Sequence, residues 1–137
     1  LCTEVLEHVP EPSAALSEFF RVLAPGGRLA LTVPFVWELH ELPHDYHRYT
    51  EPGLRNLIGK AGFVNVTITP RSDGFTTVAQ LLRNLSWTMG DPDDGLSDQR
   101  AEASSLLREL ADELARLAPL DVQKLLPLGY SALATKR

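Results

Sequence analysis

The sequence predicts an α/β fold built on a largely parallel sheet. Three observations predict it. A helical pattern with apolar residues Ala15, Leu16, Phe19, Phe20 and Leu23 on one face stops at Pro25-Gly26-Gly27. An almost continuous apolar run, Leu29-Ala30-Leu31-Thr32-Val33, follows at once. That is the pattern of a strand covered on both faces, as in a parallel sheet. A second helical pattern after Thr50 then leads into another short strand. Helix and strand therefore alternate as in doubly wound folds.

The elements follow in order. Leu1-Cys2-Thr3 reads as the end of a buried strand. Glu11 or Ser13 lies at the start of the first helix, about Pro12 to Leu23, and Pro12 suits a first turn. Arg28 to Pro34 is the next strand. Phe35 to Tyr49 is a polar and aromatic loop beyond the carboxyl end of that strand, where open α/β sheets bind ligands. Thr50 caps a helix with Glu51 and Pro52 in its first turn, Leu54, Leu57, Ile58 and Ala61 on its buried face and Gly62 at its end. Val64, Val66 and Ile68 alternate with polar residues, so this strand has one covered face or lies at an edge.

Beyond it, Gly74 to Gly90 is helical, with Val78, Leu81, Leu82, Leu85 and Met89 in phase. An acidic loop, Asp91 to Ser97, does not match the spacing of a calcium loop. Asp98 to Ala118 is a longer helix with Leu107, Leu110, Ala111, Leu114 and Leu117 on one side. Arg108, Glu109, Asp112, Glu113 and Arg116 make its solvated side. Pro119 ends it, and Tyr130 to Thr135 is the last strand.

With 137 residues the chain is one domain or a large piece of one, and its 44% apolar content is ordinary for a globular core. A net charge of -5 argues against a nucleic-acid partner, which needs clustered Lys and Arg. The single cysteine excludes an intrachain disulfide and fits a reducing compartment, so a cytoplasmic location is expected. No apolar run approaches the length of a membrane span.

Thr3-Glu4-Val5-Leu6-Glu7-His8-Val9, the helix ending in Arg21-Val22-Leu23, and Pro25-Gly26-Gly27-Arg28-Leu29 together resemble one family. This is the class I S-adenosylmethionine-dependent methyltransferases, type 11 group. The resemblance implies that these residues are the fourth strand, its helix and the fifth strand. It implies a Rossmann-like sheet ordered four, five, seven, six, with only the last strand antiparallel. Residues 1–137 would be a single partial domain with a helical insertion at 71–127, a lid, a dimer contact or a packing ornament. The family's Gly-rich cofactor loop lies upstream of this motif, and the only methionine is Met89. The carboxyl-terminal half of a longer protein is therefore expected. Its bare first strand predicts pairing with another copy, disorder of the first residues, or further chain.

The resemblance implies S-adenosylmethionine as cofactor and a small-molecule methyl acceptor. Cys2, Thr3 and Glu4 would line the methionine and sulfonium end of the cofactor. Alternatively, Glu4 satisfies a helix N-terminus or a neighbouring arginine. His8, after Glu7, is either a general base or a structural residue bonding a backbone carbonyl. Glu7 is more simply structural. The loop His44-Asp45-Tyr46-His47-Arg48-Tyr49-Thr50 would lie beside the departing methyl group, with His44, Asp45 and His47 as base candidates. Arg48 braces the loop or holds an acidic substrate. Two other readings compete: a non-catalytic interaction module or half-domain, which could pair through the insertion helices, and a metal hydrolase.

The hydrolase reading rests on His40-Glu41-Leu42-Pro43-His44, which has the form H-E-x-x-H. That chemistry needs both histidines on one face of a continuous helix. Pro43 inside such a helix costs about 3 kcal/mol. No metal site is expected from this motif, and a looser one using His40, His44, His47 and Asp45 is unspecific.

Overall fold

The computed structural model describes residues 1–89 and 96–137; the acidic stretch from Asp91 through Gly95 lies outside them. The described chain divides into two units, residues 1–71 with 127–137, and residues 72–126.

The first unit is a four-stranded sheet with two helices. Strand β1 is Cys2–Thr3, α1 is Pro12–Val22, β2 is Arg28–Pro34, α2 is Glu51–Lys60, β3 is Val64–Pro70, and the last strand, β4, is Gly129–Thr135. The order is β1-β2-β4-β3. β1 runs parallel to β2, pairing Cys2 with Leu31 and Thr3 with Thr32. β4 is antiparallel to both β2 and β3. This is the order that the resemblance implied.

The local chemistry explains the boundaries. Pro12 opens α1, and the backbone leaves the helix at Leu23 in an extended conformation. Gly26, at φ +77°, makes the turn that glycine adopts without steric cost. The amide of Gly26 donates to the Lys136 carbonyl at 2.9 Å, tying the turn to the end of β4. Thr50 caps α2, its hydroxyl accepting from the Gly53 amide at 3.2 Å. Gly62, at φ +101°, follows α2 and leads into β3. Alternation in β3 matches its edge position.

One face of the sheet carries the core. Leu29, Leu31 and Val33 of β2 and Tyr130, Ala132 and Ala134 of β4 bury against Leu6, Leu16, Leu54, Ile58 and Phe63. The expectation that β2 is covered equally on both faces needs correction. Ala30 and Thr32, on its other face, are half-buried, and Leu133 beside them is 54% exposed. Both helices of this unit bury their apolar sides in the one core, so the second face has less cover.

The second unit is a helix pair, α3 (Gly74–Thr88) and α4 (Ser97–Arg116), followed by a short 3-10 turn at Ala118–Leu120. Asp73 caps α3, accepting from the Thr76 amide at 2.8 Å. The two helices meet through small residues: Ala79, Ser86, Ser104 and Ala111 are buried, and the Ser104 hydroxyl donates to the Ser86 carbonyl at 3.0 Å. The expected leucine face of α4 is only partly covered. Leu107 and Leu114 are half-buried, but Leu110 and Leu117 stay exposed, as do Val78 and Leu85 of α3. A seam of small side chains lets the backbones approach closely, and the wide apolar stripe extends past it.

Candidate active site

The carboxyl ends of β1 and β2 face the same way because the two strands are parallel. The chain leaves β1 through Glu4, whose φ of +49° is uncommon for a residue with a side chain. Its amide continues the ladder, donating to the Thr32 carbonyl at 3.1 Å. The Glu4 carboxylate meets the Arg71 guanidinium, just beyond the end of β3, at 2.5 Å. These two residues, with Pro34, Trp37 and Leu128, line a cavity of about 220 Å³. Glu4 thus has the arginine partner that the sequence left as one alternative, and it has it at the wall of a cavity.

Of the other residues expected at the cofactor, Cys2 is buried beneath the sheet, and burial pushes its thiol pKa up. It is a small apolar side chain rather than a nucleophile. Thr3 is exposed at the strand end.

A 3-10 turn at Leu6–His8 follows. It brings the Glu7-His8 pair against the loop that ends at Tyr49. The Glu7 carbonyl accepts from the amides of Tyr46 and His47, at 2.9 and 3.2 Å. The Tyr49 hydroxyl, buried, donates to the Leu6 carbonyl at 2.9 Å, and its amide donates to Pro34. His8 donates from Nδ1 to the His44 carbonyl at 2.7 Å. Two segments almost forty residues apart are therefore stitched into one surface. The bond to a carbonyl is the contact the structural alternative describes, and it leaves Nε2 at 3.8 Å from Glu7 Oε1 and from Glu41 Oε2.

The candidate bases differ in what surrounds them. Asp45 is buried and holds Arg48 by both oxygens, at 2.6 and 2.7 Å, while accepting from the His40 amide at 3.0 Å. The Arg48 hydrogen bonds hold its carboxyl well below the usual carboxylate range. A carboxylate so engaged braces the loop. Arg48 completes the brace with donors to the Trp37 and Glu38 carbonyls. His44 is exposed, with Nδ1 at 2.9 Å from the Tyr46 hydroxyl. His47 is half-buried, with Nε2 at 3.4 Å from the Pro10 carbonyl.

The H-E-x-x-H pattern does not form a metalloprotease helix. Residues 35–50 contain no helix, and His40 and His44 share no ligand cluster among the described residues. Proline stands where helical spacing would be needed, as expected from its missing amide.

Sequence reasoning missed three participants. Arg71 carried no motif, Trp37 read only as loop, and the complete burial of Glu7 had no local signal.

A sheet ordered β1-β2-β4-β3 with only β4 antiparallel is Rossmann-like, as in solved methyltransferase structures. Residues 1–68 match the family model described as "Methyltransferase domain".

Solved structures agree on the fold. Phosphoethanolamine N-methyltransferase 2 of Haemonchus contortus, in complex with phosphomonomethylethanolamine and S-adenosylhomocysteine, is 14% identical with a TM-score of 0.50; the match covers 98% of this chain and 32% of that one. An S-adenosylmethionine-dependent methyltransferase of Archaeoglobus fulgidus is 16% identical, TM-score 0.52, over 98% of this chain and 57% of that one. The [4+2]-cyclase SpnF is 21% identical, TM-score 0.53, over 98% and 48%. The chain thus spans between a third and somewhat over half of these proteins. No curated protein matches it. No helix among the described residues is long and apolar enough to cross a membrane.

Proposed function

We propose that this chain supplies the acceptor side, and part of the cofactor wall, of an S-adenosylmethionine-dependent methyltransferase acting on a small molecule. The observation that carries the reading is Glu4. Within the segment that matches the methyltransferase family, it stands at the carboxyl end of a parallel strand, in a left-handed conformation and on the wall of a cavity. Strained backbone at a site lip is a feature of binding sites.

The residues present fit such a cofactor at the Glu4–Arg71 pair. Glu4 offers an anionic acceptor at the strand end, suited to a sulfonium or ammonium group, and Arg71 beside it offers a donor fork for a carboxylate. When bound, S-adenosylmethionine supplies an electrophilic methyl group. Cys2 and Thr3 contribute backbone to the wall. Tyr49 and the Asp45–Arg48 brace hold the loop rigidly over the strand ends, which limits misalignment of an acceptor. His44 and His47 present partly or fully exposed imidazoles on that loop, and either can take the proton of a hydroxyl or amine acceptor. His8 is a third candidate through its Nε2.

The acidic balance supports a small-molecule acceptor over a nucleic acid. A cytoplasmic location, and a homodimer formed through the edge strand β1 or the α3–α4 pair, belong to the same proposal.

Isothermal titration of the 137-residue chain with S-adenosylmethionine and S-adenosylhomocysteine tests the reading. Saturable micromolar binding that weakens in Glu4→Gln supports it and justifies an acceptor screen. Absence of binding in a folded sample leaves the non-catalytic module, and overturns the assignment of a cofactor wall to this chain alone.

A further inference from the structure

The buried carboxylate of Glu7 has no hydrogen-bond partner. Neither of its side-chain oxygens has one, although the residue is 0% exposed. Burying an ionised carboxylate without compensation is costly, so such a group is neutralised, paired or holds a metal. Glu7 Oε1 lies 3.8 Å from Nε2 of the His8 imidazole. One ligand atom each from Glu7, His8 and His40 lies within 4.8 Å of the others.

We propose that Glu7, His8 and His40 bind a divalent transition-metal ion, with zinc as the best fit. The His8 imidazole is already oriented as a metal ligand is, with its other ring nitrogen bonded to an acceptor. His8 donates from Nδ1 to the His44 carbonyl at 2.7 Å, which leaves the Nε2 lone pair toward Glu7. Around His40 Nδ1 stand two acceptors, the Glu38 carbonyl at 3.2 Å and Asp45 Oδ2 at 3.4 Å, against one guanidinium nitrogen of Arg48 at 3.5 Å. Acceptors there favour Nδ1–H and leave Nε2 unprotonated.

The spacing suits an ion after a small contraction. Metal–ligand bonds of about 2.0–2.2 Å put neighbouring ligand atoms roughly 3–4 Å apart. Two imidazoles and a carboxylate match zinc and related first-row ions, whereas calcium and magnesium prefer oxygen donors. His8 and His40 are only partly buried, and the exposed Glu41 carboxylate lies 3.8 Å from His8 Nε2 on the open side. An entry path and room for an added ligand therefore exist. The site stands on this geometry and not on the methyl-transfer reading. Only its use as a Lewis acid for an acceptor oxygen would rest on that reading.

The test is metal uptake by the tag-free chain, measured by equilibrium dialysis with elemental analysis and by titration with zinc chloride, with calcium chloride as the contrast. One zinc per chain is expected, with no saturable calcium binding. His40→Ala and Glu7→Gln should each weaken zinc binding by more than the roughly tenfold that loss of an outer-shell partner costs. His47→Asn should leave it unchanged. Absence of stoichiometric zinc uptake overturns the site, as does affinity retained in His40→Ala. If Glu7→Gln fails to fold, His40→Ala, altered at a partly exposed position, decides alone. Metal uptake is read without cofactor, so its outcome is separate from that of the cofactor titration.

Discussion

Glu4 and Arg71, 67 residues apart in sequence, meet at 2.5 Å across the carboxyl ends of the sheet. Both side chains are 43% exposed, so the pair is open to solvent and to a ligand. Exposed ion pairs contribute about 0–1 kcal/mol to stability. Glu4→Gln should therefore melt within a few degrees of the parent. Its affinity for S-adenosylmethionine should fall about tenfold, the loss of one charge-assisted contact. Glu4→Gly should bind no better, yet keep its stability within about 1 kcal/mol, because relief of the left-handed backbone offsets the lost pair. Calorimetric melting and titration of the same samples separate the two effects.

In the Asp45–Arg48 brace the Asp45 side chain is 0% exposed. Asp45→Asn leaves the guanidinium half-buried and without its bidentate partner. A loss of about 2–3 kcal/mol is expected in urea unfolding, below a fully buried pair because Arg48 keeps some solvent.

The same pair sets an acid limit. The folded carboxyl of Asp45 titrates below its unfolded value, because the Arg48 hydrogen bonds favour the anion. Its contribution is complete above the unfolded value near pH 4 and is lost as pH falls toward the folded one. Melting temperature should drop on acidification below about pH 4. In Asp45→Asn that part of the drop should be missing. Equal acid slopes in the two proteins would remove the pair from the account.

Tyr49→Phe tests the stitch between loop and turn. The change removes one buried hydroxyl and leaves the Leu6 carbonyl without its donor. A cost of about 1–2 kcal/mol is expected. The signature is a lowered melting point with the core otherwise native by circular dichroism.

Gly129 is required by close approach. A Cβ there would sit 2.3 Å from the Val33 carbonyl oxygen, on the register pair of Gly129 with Pro34. Backbone cannot move aside as a side-chain tip can. Gly129→Ala should destabilise by about 3 kcal/mol in denaturant titration. Gly59→Ala, where nothing lies within 4 Å, should be neutral or stabilising because it sits within α2.

Much of the fold was legible locally. Arg28–Pro34 as a strand, the Thr50 cap and the edge alternation of Val64, Val66 and Ile68 each follow from periodicity or capping within a few residues. The sheet order came from resemblance to a family, since no single-strand pattern reveals its neighbours. The coverage of β2 and of α4 was overestimated for one reason. Apolar pattern reports what a face can bury, and Ala30, Leu110 and Leu117 show that the facing element need not cover all of it.

The candidate site divides along the same line. By itself the sequence determined which residue types stand at the strand ends and on the loop: Glu4, Glu7, His8, His40, Asp45, Arg48. These sit next to recognisable elements, so local rules place them. Tertiary structure alone decided their partners. It set Asp45 against Arg48, gave Glu4 its arginine, and buried Glu7 beside two histidines. Partnership at a distance depends on how the sheet closes and where the loop is pinned. Neither is encoded in the spacing of any one segment.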